Sequence, residues 1–241
     1  MKIDAIEQQA FVLHTKPFKD NQLIVNLLTE LNGKVSAIVY TGKTQKSNKR
    51  GLLQPFLPLQ IILKGRGQLK YLSRIETNQR SYNLKGNYVF SGFYLNELLV
   101  KLLGEHIECP ELFYQYNQSL QALAEQQSIE KTLRNFEIIL LEDLGQSFDF
   151  GEVLESSSDF FYYILEEGFV PVTSQKKLPK YHREHLLAIA QQNIEEAAVL
   201  KSVKLLMRQV INNLLGGQML NSRKLFVNNL TSKAKEPVAK L

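Results

Sequence analysis

The sequence predicts an α+β protein, a small β-barrel followed by a mainly α-helical domain, on three observations. Up to about Glu76 the apolar residues alternate in five short runs separated by turn signals. Beyond Arg80 they recur at three and four. Near residues 160–172, two aromatic and β-branched runs bracket Glu166-Glu167-Gly168. The chain therefore divides into a barrel domain over 1–80 and a helical domain over 81–241 that carries a small β-hairpin insertion.

The barrel strands can be justified in order. Phe11 to His14 is a β-rich run, and Gln22 to Leu28 sets Leu23, Val25 and Leu27 on one face against Ile24, Asn26 and Leu28 on the other. Asn32-Gly33 is the pair favoured in a tight type I′ hairpin turn and leads into Lys34 to Tyr40, where Val35, Ala37 and Val39 alternate with more polar positions. Leu57 to Leu63 and Gln68 to Ile75 flank the turn Gly65-Arg66-Gly67. Five short strands with one long loop after the third fit an OB-type barrel, a frequent platform for single-stranded nucleic acid.

The helices follow from the longer period. Tyr88 to Leu103 carries a broad apolar face with Gly104 as its C-cap, and Pro110 opens a second helix reaching Ala124. Ser128 starts a third that runs to Leu144-Gly145. Gln146 to Ser158 lacks helical rhythm and reads as a connecting loop. After the hairpin, helices are expected near Arg183 to Gln191, Ile194 to Leu215 and Ser222 to Leu230, with a polar tail from Thr231.

Charge is unevenly distributed. The net value is +5, yet residues 1–80 hold thirteen Lys and Arg against five acids, giving +8 and leaving −3 for the remainder. From Leu31 to Ile75 there is no Asp or Glu at all, while nine cations fall in that run. Four of them, Lys43, Lys46, Lys49 and Arg50, share the stretch Gly42 to Phe56, whose Thr44, Gln45, Ser47 and Asn48 suit a loop. A solvated surface normally mixes both signs, so this run implies a field that grips a polyanion. The candidate DNA contacts are Lys34, Lys43, Lys46, Lys49, Arg50, Arg66, Lys70 and Arg74, with Phe18, Tyr40, Phe56 and Tyr71 as candidate stacking residues. If about five cations touch phosphate, single-strand affinity falls with a log–log salt slope near −3.5.

Other chemistries find little support. Gly42-Lys43-Thr44 follows a strand, but the phosphate-binding loop needs a glycine where Ala37 stands. His182 with His185, and His106 with Cys109, each offer half a metal site with no complement nearby, and a single cysteine excludes an intrachain disulfide. Glu142-Asp143 and Glu166-Glu167 read as a helix face and a turn, and no Ser/His/Asp arrangement has local support. Asp4 and Glu7 stand where a signal peptide needs an apolar core, and no apolar run approaches the ~20 residues of a membrane span. The expectation is a cytoplasmic, nucleoid-associated protein without catalytic residues, metal or cofactor.

The order AFVLHTKPFKDNQLIVNLLTELNGKVSAIVYTGK, KRGLLQPFLPL, the GRG turn, SGFYLNELLVKLL, TLRNFEIILLEDLG and a late NSRKLF resembles the recombination mediator RecO family over nearly the whole chain. The resemblance implies an N-terminal OB fold, a helical domain and no enzyme activity. It further implies binding to single- and double-stranded DNA, strand annealing, and help in loading RecA onto DNA coated by single-strand-binding protein, with RecR as a partner. Many members carry a four-cysteine zinc motif where this chain has Gln146 to Pro171. Its absence here implies no zinc, with the hairpin held by packing of Phe160 to Leu165 and Phe169. The resemblance also offers Arg134, and more weakly Arg223, as the docking point for the acidic, Phe-ending tail of single-strand-binding protein, since a guanidinium pairs bidentately with a carboxylate. Two other readings stay open on sequence: a protein-interaction adaptor with incidental DNA contact, and an RNA-binding OB protein.

Overall fold

The computed structural model describes residues 6–41, 49–174 and 176–225. Strands β1 (Glu7–Lys19), β2 (Gln22–Thr29), β3 (Gly33–Tyr40), β4 (Leu59–Lys64) and β5 (Lys70–Glu76) close into a barrel of order β1-β2-β3-β5-β4. All neighbours are antiparallel except β3 and β5. The predicted alternation holds: Val25, Leu27, Ala37, Val39, Ile61, Leu72 and Ile75 point inward and fill the barrel together with Ala10, Val12 and Leu59. β1 is much longer than the run Phe11 to His14 suggested, because its polar second half is held by cross-strand pairing to β2 rather than by burial.

The turns exchange roles. Asn32-Gly33 does not form a two-residue turn: Thr29 pairs with Gly33, so Glu30, Leu31 and Asn32 make a three-residue connection that ends on left-handed Gly33 (φ 60°). Thr29 Oγ1 donates to the Gly33 carbonyl at 2.9 Å, and Gln8 clamps the same loop through Asn32 Oδ1 and the Leu31 N–H. The two-residue turn is instead Asp20-Asn21 between β1 and β2, with Asn21 left-handed at φ 59°.

After a short helix α1 (Lys49–Leu52), whose neighbours Leu53 and Leu57 plug the barrel, come α2 (Asn87–Leu102) and α3 (Pro110–Ala124). Leu103 is the cap of α2 in place of the expected Gly104, which is not left-handed; a Cβ at Gly104 would lie 2.5 Å from Ile107 Cδ1. α2 seals a defect in the barrel. The register of β1 slips between Val12 and His14, which takes carbonyls out of the ladder. Asn96 Nδ2 donates to the Leu13 oxygen at 3.1 Å and reaches the Val12 oxygen at 3.5 Å, while Tyr116 of α3 donates to Asn96 Oδ1 at 2.6 Å. Phe11, turned outward on β1, packs against Phe113 and Tyr116. The polar side of this buried network is thus satisfied while its apolar side excludes water.

Chain beyond α3 forms a second compact unit. Residues up to Gln127, with the segment from Leu220, make one unit, and Ser128–Met219 make the other. In the first, Glu97 of α2 accepts from the Asn221 and Ser222 N–H groups and from Ser222 Oγ, capping a helical turn over residues 221–225. Burial pushes the Glu97 carboxyl up, but these three donors and the Lys101 ammonium at 3.5 Å outweigh it and hold it below the ordinary carboxylate range. Residues 226–230 of the expected last helix lie outside the described residues.

The second unit contains α4 (Ile129–Asp143), α5 (Gly151–Glu155), a sheet of β6 (Phe160–Ile164), β7 (Gly168–Pro171) and β8 (Lys180–His182) in order β7-β6-β8, then α6 (Arg183–Ala190) and α7 (Ala197–Leu214). Ser128 caps α4 as expected, accepting from the Lys131 N–H. The hairpin is present, with β8 as an added third strand, and α5 replaces part of the expected loop. Phe148 and Phe150 explain α5's position: with Tyr163 and Phe169 they build an aromatic cluster, ring centroids 5.0–5.9 Å apart across the contacts to Phe169. Phe160 and Leu165 stay exposed, so the packing expected along the whole run falls to Phe161, Tyr162 and Tyr163. Arg183 then ties α5 in place by donating to the Val153 and Leu154 carbonyls at 3.0 and 3.1 Å.

Candidate nucleic-acid interface

The barrel exterior has two ends of opposite character. At one end a cross-strand row runs Phe11, Leu28, Lys34, and all three side chains are buried. Lys34 faces outward, as its alternation predicts, but outward here means toward the last turn of α2. Its ammonium donates to the Val100 carbonyl at 2.9 Å, where the helix dipole favours a cation. Burial lowers the Lys34 pKa, with Glu105 pulling it back up. Lys34 is therefore removed from the expected set of phosphate contacts: its charge is spent on a helix end.

At the other end the outer face is open. Register pairs Lys16 with Ile24, Ile24 with Ile38, Ile38 with Tyr71, and Tyr71 with Lys64, one residue from each of the five strands. Directly paired residues share a face, so these five form one strip around the barrel. Tyr71 is 57% exposed, both isoleucines are half-buried, and the two lysines at the ends are exposed. Tyr40, equally exposed, lies two residues along β3 from Ile38, and Lys19 follows beside the β1–β2 turn.

The remaining expectations sort by position. Arg66 stands exposed in the β4–β5 turn, and Lys70 donates to the Gly65 carbonyl at 3.2 Å with its stem half-buried. Arg50 is exposed and Lys49 half-buried on α1, which forms a helical turn where a loop was expected. Lys43 and Lys46 lie outside the described residues. Arg74 is a correction: it forks onto both oxygens of Glu76 at 2.9 Å and lies 4.0 Å from Glu7, so its charge is locally neutralised. Glu76 directly follows the acid-free run and Glu7 lies well before it in sequence, and strand pairing brings both beside Arg74. Of the stacking candidates, Phe18 is exposed, whereas Phe56 is buried against Phe93 at 5.3 Å.

Lys16 and Lys64 are what the sequence reading left out of its contact set. Lys16 precedes the acid-free run and joins it only through β1–β2 pairing. Its signal was period two, since Lys16 and Lys64 both fall on outward positions.

In the second unit, Arg134 needs a further correction. Its side chain is 9% exposed and its Nη2 donates to Glu137 Oε1 at 2.7 Å, with Glu137 fully buried. An incoming carboxylate would have to displace Glu137, so Arg134 is not an accessible docking arginine. Arg223, half-buried on the turn 221–225, remains accessible. Among the described residues no group of three or more His, Cys, Asp or Glu could hold a metal ion, and no helix is long and apolar enough to cross a membrane. His106 Nε2 instead lies 2.7 Å from the Gln68 carbonyl oxygen, and Cys109 is buried at the start of α3.

A closed five-stranded barrel with this strand order, joined to a helical region and a three-stranded sheet, defines an OB-fold protein with a helical appendage. Residues 1–80 match the model for the recombination protein O N terminal domain and residues 85–223 that for its C terminal domain. The chain is 37% identical over 233 residues to a DNA repair protein RecO of Cellvibrio japonicus, covering 94% of this chain and 98% of that one. It is 37% identical over 227 residues to the protein of that name from Idiomarina loihiensis, covering 91% and 97%. With that from Hahella chejuensis the identity is 39% over 225 residues, covering 90% and 93%. The chain belongs to the recombination protein O family.

Proposed function

We propose that this chain serves DNA repair and recombination as a non-enzymatic mediator. It binds single- and double-stranded DNA, anneals complementary strands and helps RecA load onto DNA coated by single-strand-binding protein. Single-strand-binding protein and RecR are its partners, and Arg223 is the accessible arginine for an acidic tail. Family membership supports the role, and one observation carries the DNA-binding part: the open outer face of the barrel, where Lys16, Lys19, Lys64 and Arg66 present cations around an aromatic-centred strip.

The physics matches the role. Annealing requires a protein to hold two strands without reading either, and phosphate neutralisation by flexible Lys and Arg supplies affinity with no sequence choice. The test is annealing of complementary strands coated with single-strand-binding protein. The chain should accelerate duplex formation at low salt, and absence of acceleration would contradict the reading.

A further inference from the structure

We infer that the surface of the second unit centred on Leu154 of α5 and Phe160 of β6 is a docking face for a protein segment that carries apolar residues among lysines and arginines. No residue of this face belongs to the barrel.

Two large apolar side chains stand in solvent here: Leu154 is 61% exposed and Phe160 is 43% exposed. Single residues of this kind are ordinary on a protein surface, but these two lie on neighbouring segments fixed to one frame. Arg183 supplies that frame. Its guanidinium donates to the Val153 and Leu154 carbonyls at 3.0 and 3.1 Å, and its backbone N–H donates to the Asp159 carbonyl at 2.8 Å. The connection between α5 and β6 is also bonded within itself: the Ser158 N–H donates to Ser156 Oγ at 3.2 Å, and Ser158 Oγ donates to the Phe160 carbonyl at 3.0 Å. Phe160 pairs across the sheet with His182, whose ring stands edge-on to it with centroids 5.0 Å apart. The backbone under both side chains is thus set before anything binds, which removes part of the ordering cost of an interface.

Charge selects the partner. Glu152 and Glu155 flank Leu154, Asp159 precedes Phe160, and Glu184 follows His182 by two positions. All four are exposed, and among the described residues none is ion-paired with a lysine or arginine. Against them stand Arg183, turned onto the α5 carbonyls, and Lys180, two residues along β8 from His182. Four carboxylates against two cations make the face net negative in a chain whose net charge is +5. Such a rim repels a phosphate backbone, so nucleic acid does not fit. An apolar centre inside a polar rim is the anatomy of a protein interface, and the sign of this rim calls for a basic partner. A basic amphipathic helix, with apolar anchors three and four residues apart, has that chemistry.

The probe is a short fluorescein-labelled helical peptide of leucine, phenylalanine and lysine, titrated into the full-length chain at low salt and followed by anisotropy. A twin peptide has glutamate in place of every lysine. Combining Leu154→Ser with Phe160→Ser should weaken binding of the lysine peptide by about tenfold or more and leave that of the glutamate peptide within about twofold. Glu152→Gln with Glu155→Gln should flatten the salt dependence of lysine-peptide binding. Leu205→Ser, at a 40% exposed position of α7, is the control and should bind as wild type does. On the wild-type chain, a lysine peptide with benzoylphenylalanine in place of phenylalanine should cross-link within α5, the start of β6 or β8, which locates the face without any substitution. Absence of lysine-peptide binding, an undiminished affinity in the double serine variant, an equal loss in Leu205→Ser, or cross-links confined elsewhere overturns the face. A single-stranded oligonucleotide whose binding falls in the double serine variant would assign the face to nucleic acid and overturn it equally.

Discussion

Gly33→Ala should lower the melting temperature by about 6–12 °C, the equivalent of roughly 3 kcal/mol or more for a chain of this size. Two costs combine. Gly33 sits at φ 60°, a conformation an alanine adopts only with strain. In addition, a Cβ there would fall 1.7 Å from the Ile107 carbonyl oxygen and 2.8 Å from its carbon, and both are backbone atoms that no rotamer change can move. The segment cannot simply retreat, because the His106 N–H donates to the Lys34 carbonyl at 2.9 Å and Ser36 Oγ donates to Glu105 at 2.5 Å. Gly67→Ala is the control, since a Cβ at Gly67 meets nothing within 4 Å. Thermal denaturation of both checks the account, and a Gly33→Ala melting point within about 2 °C of wild type would contradict it.

Arg134→Ala and Glu137→Ala should each cost about 3–5 kcal/mol, while the double change to Met and Leu recovers most of that loss. The pair is sealed in the second unit, and Arg134 Nε makes no hydrogen bond, so the guanidinium is incompletely repaid for leaving water. Removing one partner takes the ion pair from a buried charge, whereas removing both relieves the desolvation on each side. A double-mutant cycle in denaturant reads the coupling directly. Single changes that leave stability unaltered would return Arg134 to the surface and revive it as a tail-docking residue. The corollary is practical: loss of partner binding in Arg134→Ala has to be separated from loss of fold before it is assigned to a contact.

These two sites show where sequence reasoning runs out. The strand faces were legible because alternation at Val35, Ala37 and Val39 is a local property, and it correctly turned Lys34 outward. What covers Lys34 is the end of a helix some 66 positions further along, and no local pattern announces it. Pro110 and Ser128 marked helix starts for equally local reasons, a tolerated missing N–H and a capping hydroxyl. Arg134 and Glu137 sit three apart on one helix face, which was visible; that this face is buried depends on tertiary packing. Asn32-Gly33 misled because the pair fits two loop lengths, and the Gln8 clamp that selects the longer one comes from another strand. The strip through Lys16 and Tyr71 needs the register of five strands at once, information that only pairing supplies.

The central claim is that the open end of the barrel holds DNA through its phosphates. It is tested most directly by the salt dependence of single-strand binding for the wild-type chain and for a variant with Lys16, Lys64 and Arg66 all changed to Ala. The account predicts a log–log slope near −3.5 for the wild type, made shallower by about 2 in the variant. A variant slope equal to that of the wild type would contradict it.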